Sequence, residues 1–191
     1  MMLNQIANSK EGKGKIQGIV LNLPREEKFE NRMNVFLNIG SNLGNRRMHL
    51  SRAIAAIEKE FGFFELSHTV ESAPWGYSSA NDYLNVGMMV VSDLAPEEIL
   101  GRLQKIEGEL NAEPHRNADG TYRDREVDID IIAIDEIEYN TPQLQLPHPR
   151  MAERRFVLEP MAELAPFWRH PASGLTPAEM LATLESRDQG Q

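Results

Sequence analysis

Asp128 and Asp130 are two carboxylates in the run Asp124-Arg125-Glu126-Val127-Asp128-Ile129-Asp130-Ile131-Ile132. Val127, Ile129 and Ile131 alternate with them, the period of a half-buried β-strand. Alternation sends the three apolar side chains to one face and both aspartates to the other. At the rise of a strand the two Cα atoms stand roughly 7 Å apart. Both carboxylates then reach one hard cation, or a pair of cations about 3.5–4 Å apart. Arg125, at the mouth of the strand, is placed to swing toward a phosphate. A strand with a solvated acidic face has the same pattern, because D-x-D alone is a weak motif. The rest of the chain decides between the two.

The elements that must position these groups follow in order. Val35, Leu37 and Ile39 alternate as a first strand running to Ser41. Gly40-Ser41-Asn42-Leu43-Gly44-Asn45 is a turn with Asn45 as N-cap, and Leu50, Ile54, Ile57 and Phe61 then recur at helical spacing up to Gly62. Phe64, Leu66, His68 and Val70 alternate as a second strand. His68 there is expected to be structural, half-buried and without a partner. After a loop with Pro74, Trp75 and Gly76 comes a third strand, Asp82 to Val91. Leu84, Val86, Met88 and Val90 form one of its faces; Tyr83, Asn85 and Gly87 form the other. Pro96 opens a second helix with the stripe Ile99, Leu103, Ile106 and Leu110. Gln104 and Glu107, spaced i and i+3, lie together beside that stripe. A loop over 111–124, carrying His115, Arg116, Gly120 and Arg123, leads to the aspartate strand.

This β-α-β-β-α-β order predicts an α+β fold with a ferredoxin-like core, an antiparallel sheet with both helices on one face. The open face is then where Tyr83, Asn85, Asp128 and Asp130 point. C-terminal additions follow: a strand pair or edge over 137–146, a turn at Pro147-His148-Pro149, and a short helix from Met151 to Leu158 ended by Pro160. Thr176-Pro177-Ala178-Glu179 is a capping box that starts a last helix. Residues 1–32 lack any apolar periodicity and contain a Gly/Lys-rich stretch and a charge run. They read as a flexible N-terminal extension, with 33–191 as the domain and Met33 as a candidate biological start. Gly12-Lys13-Gly14-Lys15 is not a P-loop, because the G-K-[ST] ending and flanking strand are missing.

At 191 residues the chain holds one domain with a sizeable core. A net charge of −9 argues against a phosphate-backbone binder, so no nucleic-acid partner is expected. A nucleotide substrate stays open, since a metal screens phosphates locally. The chain has no cysteine, which excludes disulfides, thiolate zinc sites and thiol nucleophiles and suits a reducing cytoplasm. No run approaches the roughly 20 apolar residues of a membrane span, so no membrane association is expected.

One sheet face thus carries an aromatic, an amide and two metal-type carboxylates, beside a loop with arginines and a histidine. Four segments in this order resemble the 6-hydroxymethyl-7,8-dihydropterin pyrophosphokinase family of folate biosynthesis. They are Gly40-Ser41-Asn42-Leu43-Gly44, Asp82-Tyr83-Leu84-Asn85, Arg125 to Asp130, and Leu146-Pro147-His148-Pro149 with Arg154 and Phe156. The resemblance implies pyrophosphoryl transfer from ATP to the hydroxymethyl group of a dihydropterin, with release of AMP. It implies that Asp128 and Asp130 hold two Mg²⁺ ions on the ATP phosphates, with Asp128 also a candidate acceptor of the hydroxyl proton. Tyr83 and Phe156 become the two sides of a pterin sandwich, Asn85 reads the pterin edge, and Ser72, Ala73 and Trp75 line the pterin pocket. Gln104, Glu107, Arg125, His148 and Arg154 match nucleotide-side positions. A pterin is flat and polar-edged, which suits aromatic faces and amides. Pyrophosphoryl transfer needs charge neutralisation and alignment more than covalent catalysis.

One segment departs from the family. Closely spaced arginines are expected after the second helix, followed by an aromatic-Gly-Pro-Arg run. Here Gly108 precedes Glu109-Leu110-Asn111, and the later segment is Thr121-Tyr122-Arg123-Asp124-Arg125. Arg116 and Arg123 are the replacements available, and the loop is expected to close over bound nucleotide. A monofunctional monomer acting on small molecules is expected. Two other classes fit the same pattern less fully: another Mg-dependent nucleotidyl or phosphoryl transferase, and a non-catalytic ferredoxin-like ligand- or RNA-binding module.

Overall fold

The computed structural model of the chain describes residues 32–112 and 123–188. The expected extension over 1–32 falls outside these residues except for Arg32, and so do His115, Arg116 and Gly120 of the 111–124 loop. The elements in order are β1 (Met33–Ser41), α1 (Arg46–Phe61), β2 (Phe64–Ser72), β3 (Tyr83–Ser92), α2 (Pro96–Leu110), β4 (Asp128–Ile134), β5 (Tyr139–Asn140), β6 (Gln145–Leu146), a 3-10 turn (Met151–Glu153), α3 (Arg155–Leu164) and α4 (Pro177–Asp188). The four longer strands pair antiparallel in the spatial order β2-β3-β1-β4. The fold is α+β.

Strand alternation builds the main core. Val35, Leu37 and Ile39 of β1, Leu84, Val86, Met88 and Val90 of β3, and Ile129 and Ile131 of β4 all bury one face. Against them pack Leu50, Ala53 and Ile57 of α1 and Ile99, Leu103 and Ile106 of α2, the stripes that helical spacing predicts. Each such side chain contributes about 1.5–3 kcal/mol by leaving water. The helix ends are set locally. The Asn45 side chain accepts the Met48 N–H at 3.1 Å, and Gly62 leaves α1 at φ +85°. At the start of α4, Thr176 and Glu179 exchange the bonds of a capping box.

The opposite face differs from expectation in four places. The aspartate strand begins at Asp128, not Asp124. Before it, side-chain amides replace the ladder: Arg125 N–H donates to Asn42 Oδ1 (2.9 Å), and Val127 N–H donates to Asn111 Oδ1 (3.0 Å). Second, β4 carries an irregularity opposite Phe36/Leu37 that shifts its register. Ile131 and Ile134 remain with the main core, while Ile132 and Ala133 turn to the other side.

Third, the helices do not all share one face. Phe36, Ile132 and Ala133 form an apolar patch on the far face, which Val157, Leu158 and Met161 of α3 and Met180 of α4 cover. The C-terminal additions therefore close part of the face expected to be open. Fourth, Pro160 lies inside α3 and does not end it. Its missing N–H costs one helical bond, but its buried ring packs on β3. A Cβ at Gly87 would stand 2.6 Å from that of Pro160, so only glycine permits this approach. His68 also departs from expectation: β2 is irregular between Leu66 and Thr69, and the exposed His68 ring meets Glu163 of α3.

Candidate active site

The uncovered part of the far face is a pocket whose floor is the sheet. Cross-strand register places Asn38 opposite both Gly87 and Asp130, and Gly40 opposite both Asn85 and Asp128. Side chains opposite one another share a face, so β1, β3 and β4 bring Asn38, Asn85, Asp128 and Asp130 onto one floor. Gly40 is small for a reason: a Cβ there would meet Asn85 Oδ1 at 3.0 Å and Tyr83 Cδ1 at 3.2 Å.

The same pocket is lined by Ser72, Ala73, Trp75, Gly76 and Tyr77 from the β2–β3 connection. Tyr83, Asn85, Arg125, Asp128 and Asp130 come from the sheet and its mouth, and His148, Arg150, Arg154 and Phe156 from the C-terminal segment. Eleven of the residues singled out in the sequence therefore meet in one place: Ser72, Ala73, Trp75, Tyr83, Asn85, Arg125, Asp128, Asp130, His148, Arg154 and Phe156. Gln104 is exposed and Arg123 half-buried, and neither lines the pocket. Glu107 lies just behind it, its Oε1 accepting the Ile129 N–H at 3.0 Å. Arg116 is outside the described residues.

Each aspartate faces a guanidinium. Arg125 Nη1 donates to Asp128 Oδ1 at 2.8 Å, and Arg154 Nη1 donates to Asp130 Oδ2 at 3.2 Å. Desolvation offsets much of the Coulomb gain in such partly buried pairs, so they hold charges at hand more than they stabilise the fold. Arg154 also lies over two rings, 4.9 Å from the Trp75 centroid and 5.8 Å from that of Phe156. Arg150 lies 5.0 Å over Trp75.

The carboxyls are tuned by this setting. Burial, then the charge of Asp130, pushes Asp128 well above the usual carboxylate range, against the pull of Arg125 and Arg154. Burial and the charge of Asp128 push Glu107 up to about 8, with the Ile129 N–H and Arg125 opposing. Glu107 is then a neutral carboxyl at pH 7, hydrogen-bonded to Asp128. Burial lowers His148, with the positive charges of Arg154 and Arg150 adding to it and Asp130 opposing. Tyr83 is buried and pushed upward, chiefly by desolvation and by its bond to Tyr77.

Several site residues escaped the sequence. Asn38, an unremarkable polar position in a strand, has its Oδ1 buried and without a hydrogen-bond partner among the described residues. The parity of β1 with the aspartates was the signal available. Tyr77 and Arg150 stand in loops, where no periodicity points anywhere. Asn42 belongs to a matched segment, but nothing in its spacing says that its side chain binds Arg125.

The donors present fit a hard divalent cation: two carboxylates on one strand face, with the orphaned amide oxygen of Asn38 across from Asp130. A floor of amides and aromatics beside two carboxylates and two guanidiniums suits a flat polar ring at one end and phosphates at the other. Comparison with known proteins agrees. The family described as 7,8-dihydro-6-hydroxymethylpterin-pyrophosphokinase (HPPK) matches residues 36–166. The chain is 40% identical over 139 residues to the 2-amino-4-hydroxy-6-hydroxymethyldihydropteridine pyrophosphokinase of Porphyromonas gingivalis, covering 72% of this chain and 93% of that protein. It is 34% identical over 131 residues to the protein of the same name from Bacillus subtilis, covering 68% and 76%. The fold is similar to that of a Plasmodium falciparum HPPK-DHPS crystal structure with pteroate, at a TM-score of 0.64 and 13% identity. That match covers 84% of this chain and 44% of the Plasmodium one. The chain belongs to the 7,8-dihydro-6-hydroxymethylpterin-pyrophosphokinase family.

Proposed function

We propose that this chain moves the β,γ-pyrophosphoryl group of ATP to the hydroxymethyl oxygen of 6-hydroxymethyl-7,8-dihydropterin, a step of tetrahydrofolate biosynthesis. The observation that carries this reading is a single pocket joining the Asp128/Asp130 pair, each with its guanidinium, to an amide- and aromatic-lined half. The hydroxymethyl oxygen attacks the β-phosphorus, the bond from that phosphorus to the α-phosphate oxygen breaks, and AMP leaves. Asp128 is placed to accept the hydroxyl proton.

Asp128 and Asp130 would hold two Mg²⁺ ions, which supply charge neutralisation on the phosphates. Arg125 and Arg154 exchange their aspartate partners for phosphate oxygens as the nucleotide arrives, and His148 lines the same side. Arg123, Arg116, Gln104 and Glu107 complete the nucleotide side in this reading. Asn85 reads the pterin edge, Tyr83 and Phe156 flank the ring, and Ser72, Ala73 and Trp75 close the pocket. Tyr83 contributes as part of the floor, since it is nearly buried.

We further assign the β-α-β-β-α-β core to the ferredoxin-like type, with the catalytic domain at 33–191 and residues 1–32 outside it. We place the enzyme in the cytoplasm as a monomer acting on small molecules, away from nucleic acid and membranes. Its cysteine-free composition and net charge of −9 support this. Among the described residues no helix is long and apolar enough to cross a membrane.

Incubation with Mg-ATP and 6-hydroxymethyl-7,8-dihydropterin tests the function. Pterin-dependent AMP is expected. ADP in its place would mean ordinary phosphoryl transfer, and no nucleotide turnover would leave a binding module.

A further inference from the structure

Beside the pocket, hydrogen bonds close into a ring. The Asp124 carboxylate accepts from Asn42 Nδ2 (2.7 Å), Asn81 Nδ2 (2.5 Å) and the Tyr77 hydroxyl (3.2 Å). Asn42 grips the next residue from both sides: its Oδ1 accepts the Arg125 N–H (2.9 Å), and its own N–H donates to the Arg125 carbonyl (3.2 Å). The hydroxyls of Tyr77 and Tyr83 bond at 2.9 Å, and Tyr83 bonds the Arg125 guanidinium. Arg125 ends on Asp128. The ring thus joins the β1–α1 turn, the β2–β3 connection and the mouth of β4, which are far apart in sequence.

Asp124 suits this place because it only accepts. The donors around it are Asn42, Asn81, Tyr77 and Ser79. Although burial alone would raise its pKa, those bonds together hold it below the usual carboxylate range. The Asn42 amide cannot be turned round, because its carbonyl oxygen would then face the Asp124 carboxylate while its NH₂ faced the Arg125 N–H.

We propose that Asp124 is a positioning residue for the transfer: through Asn42 and Tyr77 it fixes Arg125 against Asp128 and holds Tyr83 in the floor of the pocket. It is not among the residues that line the pocket. Its effect passes through the backbone of Arg125 on one side and the two tyrosine hydroxyls on the other. A side chain at the nucleotide end and one at the pterin end are thereby set by a single carboxylate. The inference rests on the proposed role of Arg125 in pyrophosphoryl transfer.

The test compares Asp124→Asn, Tyr77→Phe, Arg125→Ala and the double variant Asp124→Asn/Arg125→Ala in the full chain. Thermal melting verifies that each folds, and kcat and KM are measured for both substrates. Asp124→Asn keeps the shape but turns one acceptor into a donor that faces donors. It should lower kcat roughly 10–100-fold, the scale of a small misplacement of a catalytic group. KM for ATP should move far less. Tyr77→Phe should lower kcat in the same sense by a smaller factor. In the double variant, Asp124→Asn should add almost nothing to the kcat loss from Arg125→Ala, because its effect on the transfer step passes through that residue, while its tyrosine arm is read in KM for the pterin. A merely structural role would give additive losses. If Arg125→Ala is crippled while Asp124→Asn turns over normally, or if the two losses add, the positioning role is overturned. If Arg125→Ala itself turns over normally, the proposed role of Arg125 falls, and this inference with it.

Discussion

The two faces of the sheet are made by the same strands and follow opposite rules. Toward α1 and α2, Leu37, Ile39, Val86, Met88 and Ile129 are all under one-tenth exposed and carry no polar atom to satisfy. One residue along each strand, Asn38, Gly40, Asn85, Asp128 and Asp130 face the pocket, where charges are paired but an amide oxygen is left without a partner. One face is finished when the chain folds; the other is arranged for something yet to arrive. Burying polar groups of this kind costs free energy, a cost that a bound ligand would offset.

The contrast breaks most sharply at Asp128. Asp128→Ala should reduce turnover by about 10²–10³-fold or more, the scale for losing a transition-state contact. Its melting temperature should hold or rise, because a buried carboxylate crowded by the charge of Asp130 is removed; near-normal activity at limiting Mg²⁺ would contradict the assignment. Ile39→Ala, from the other side of the same sheet, should do the reverse. It should cost about 2–5 kcal/mol in denaturant unfolding, while the folded fraction keeps its kcat. Phe156→Ala, on the pocket wall, should weaken pterin binding by about 1–3 kcal/mol with little change for ATP, as read by calorimetry.

The smallest effect sharpens the boundary between the faces, where Glu107 sits. Its folded pKa of about 8 lies above the ordinary carboxyl value. The folded protein therefore holds a proton that the unfolded chain loses, and stability should fall as pH rises from about 4.5 to 8. Glu107→Gln imitates the protonated form. It should match the parent at pH 5 and exceed it by about 1–2 kcal/mol above pH 8. Identical pH profiles of the melting temperature would show that Glu107 is ionised in the folded state.

The main core was legible because it obeys period: Leu50 and Ile57, or Ile99, Leu103 and Ile106, need only spacing to be placed. The aspartate face was legible for the same reason. What period could not supply was the cover. Nothing in the sequence marks Ile132 as the residue where β4 shifts register, so the patch that receives α3 was invisible, and Pro160 read as a stop. The start of β4 was misplaced because Asn42 and Asn111 supply bonds that the chain usually draws from a neighbouring strand. Within the pocket, Asn38 on β1 passed as an ordinary polar strand position, and the loop residues Tyr77 and Arg150, which belong to no matched segment, were not found. Loop geometry depends on tertiary bonds that no local pattern encodes.

The Arg154 guanidinium bears on how any binding measurement at this site should be read. It lies over Trp75 and Phe156 while bonded to Asp130. If the proposed pterin stacks on the faces that Arg154 covers, it must first displace this guanidinium, which would then act as a built-in competitor. Observed affinity would then be the intrinsic affinity scaled by the fraction of molecules in which that arginine has stepped aside. Shortening it, as in Arg154→Ala, would remove the competitor and the proposed phosphate ligand together. An inhibitor that leaves the guanidinium in place and stacks beyond it would avoid that competition altogether.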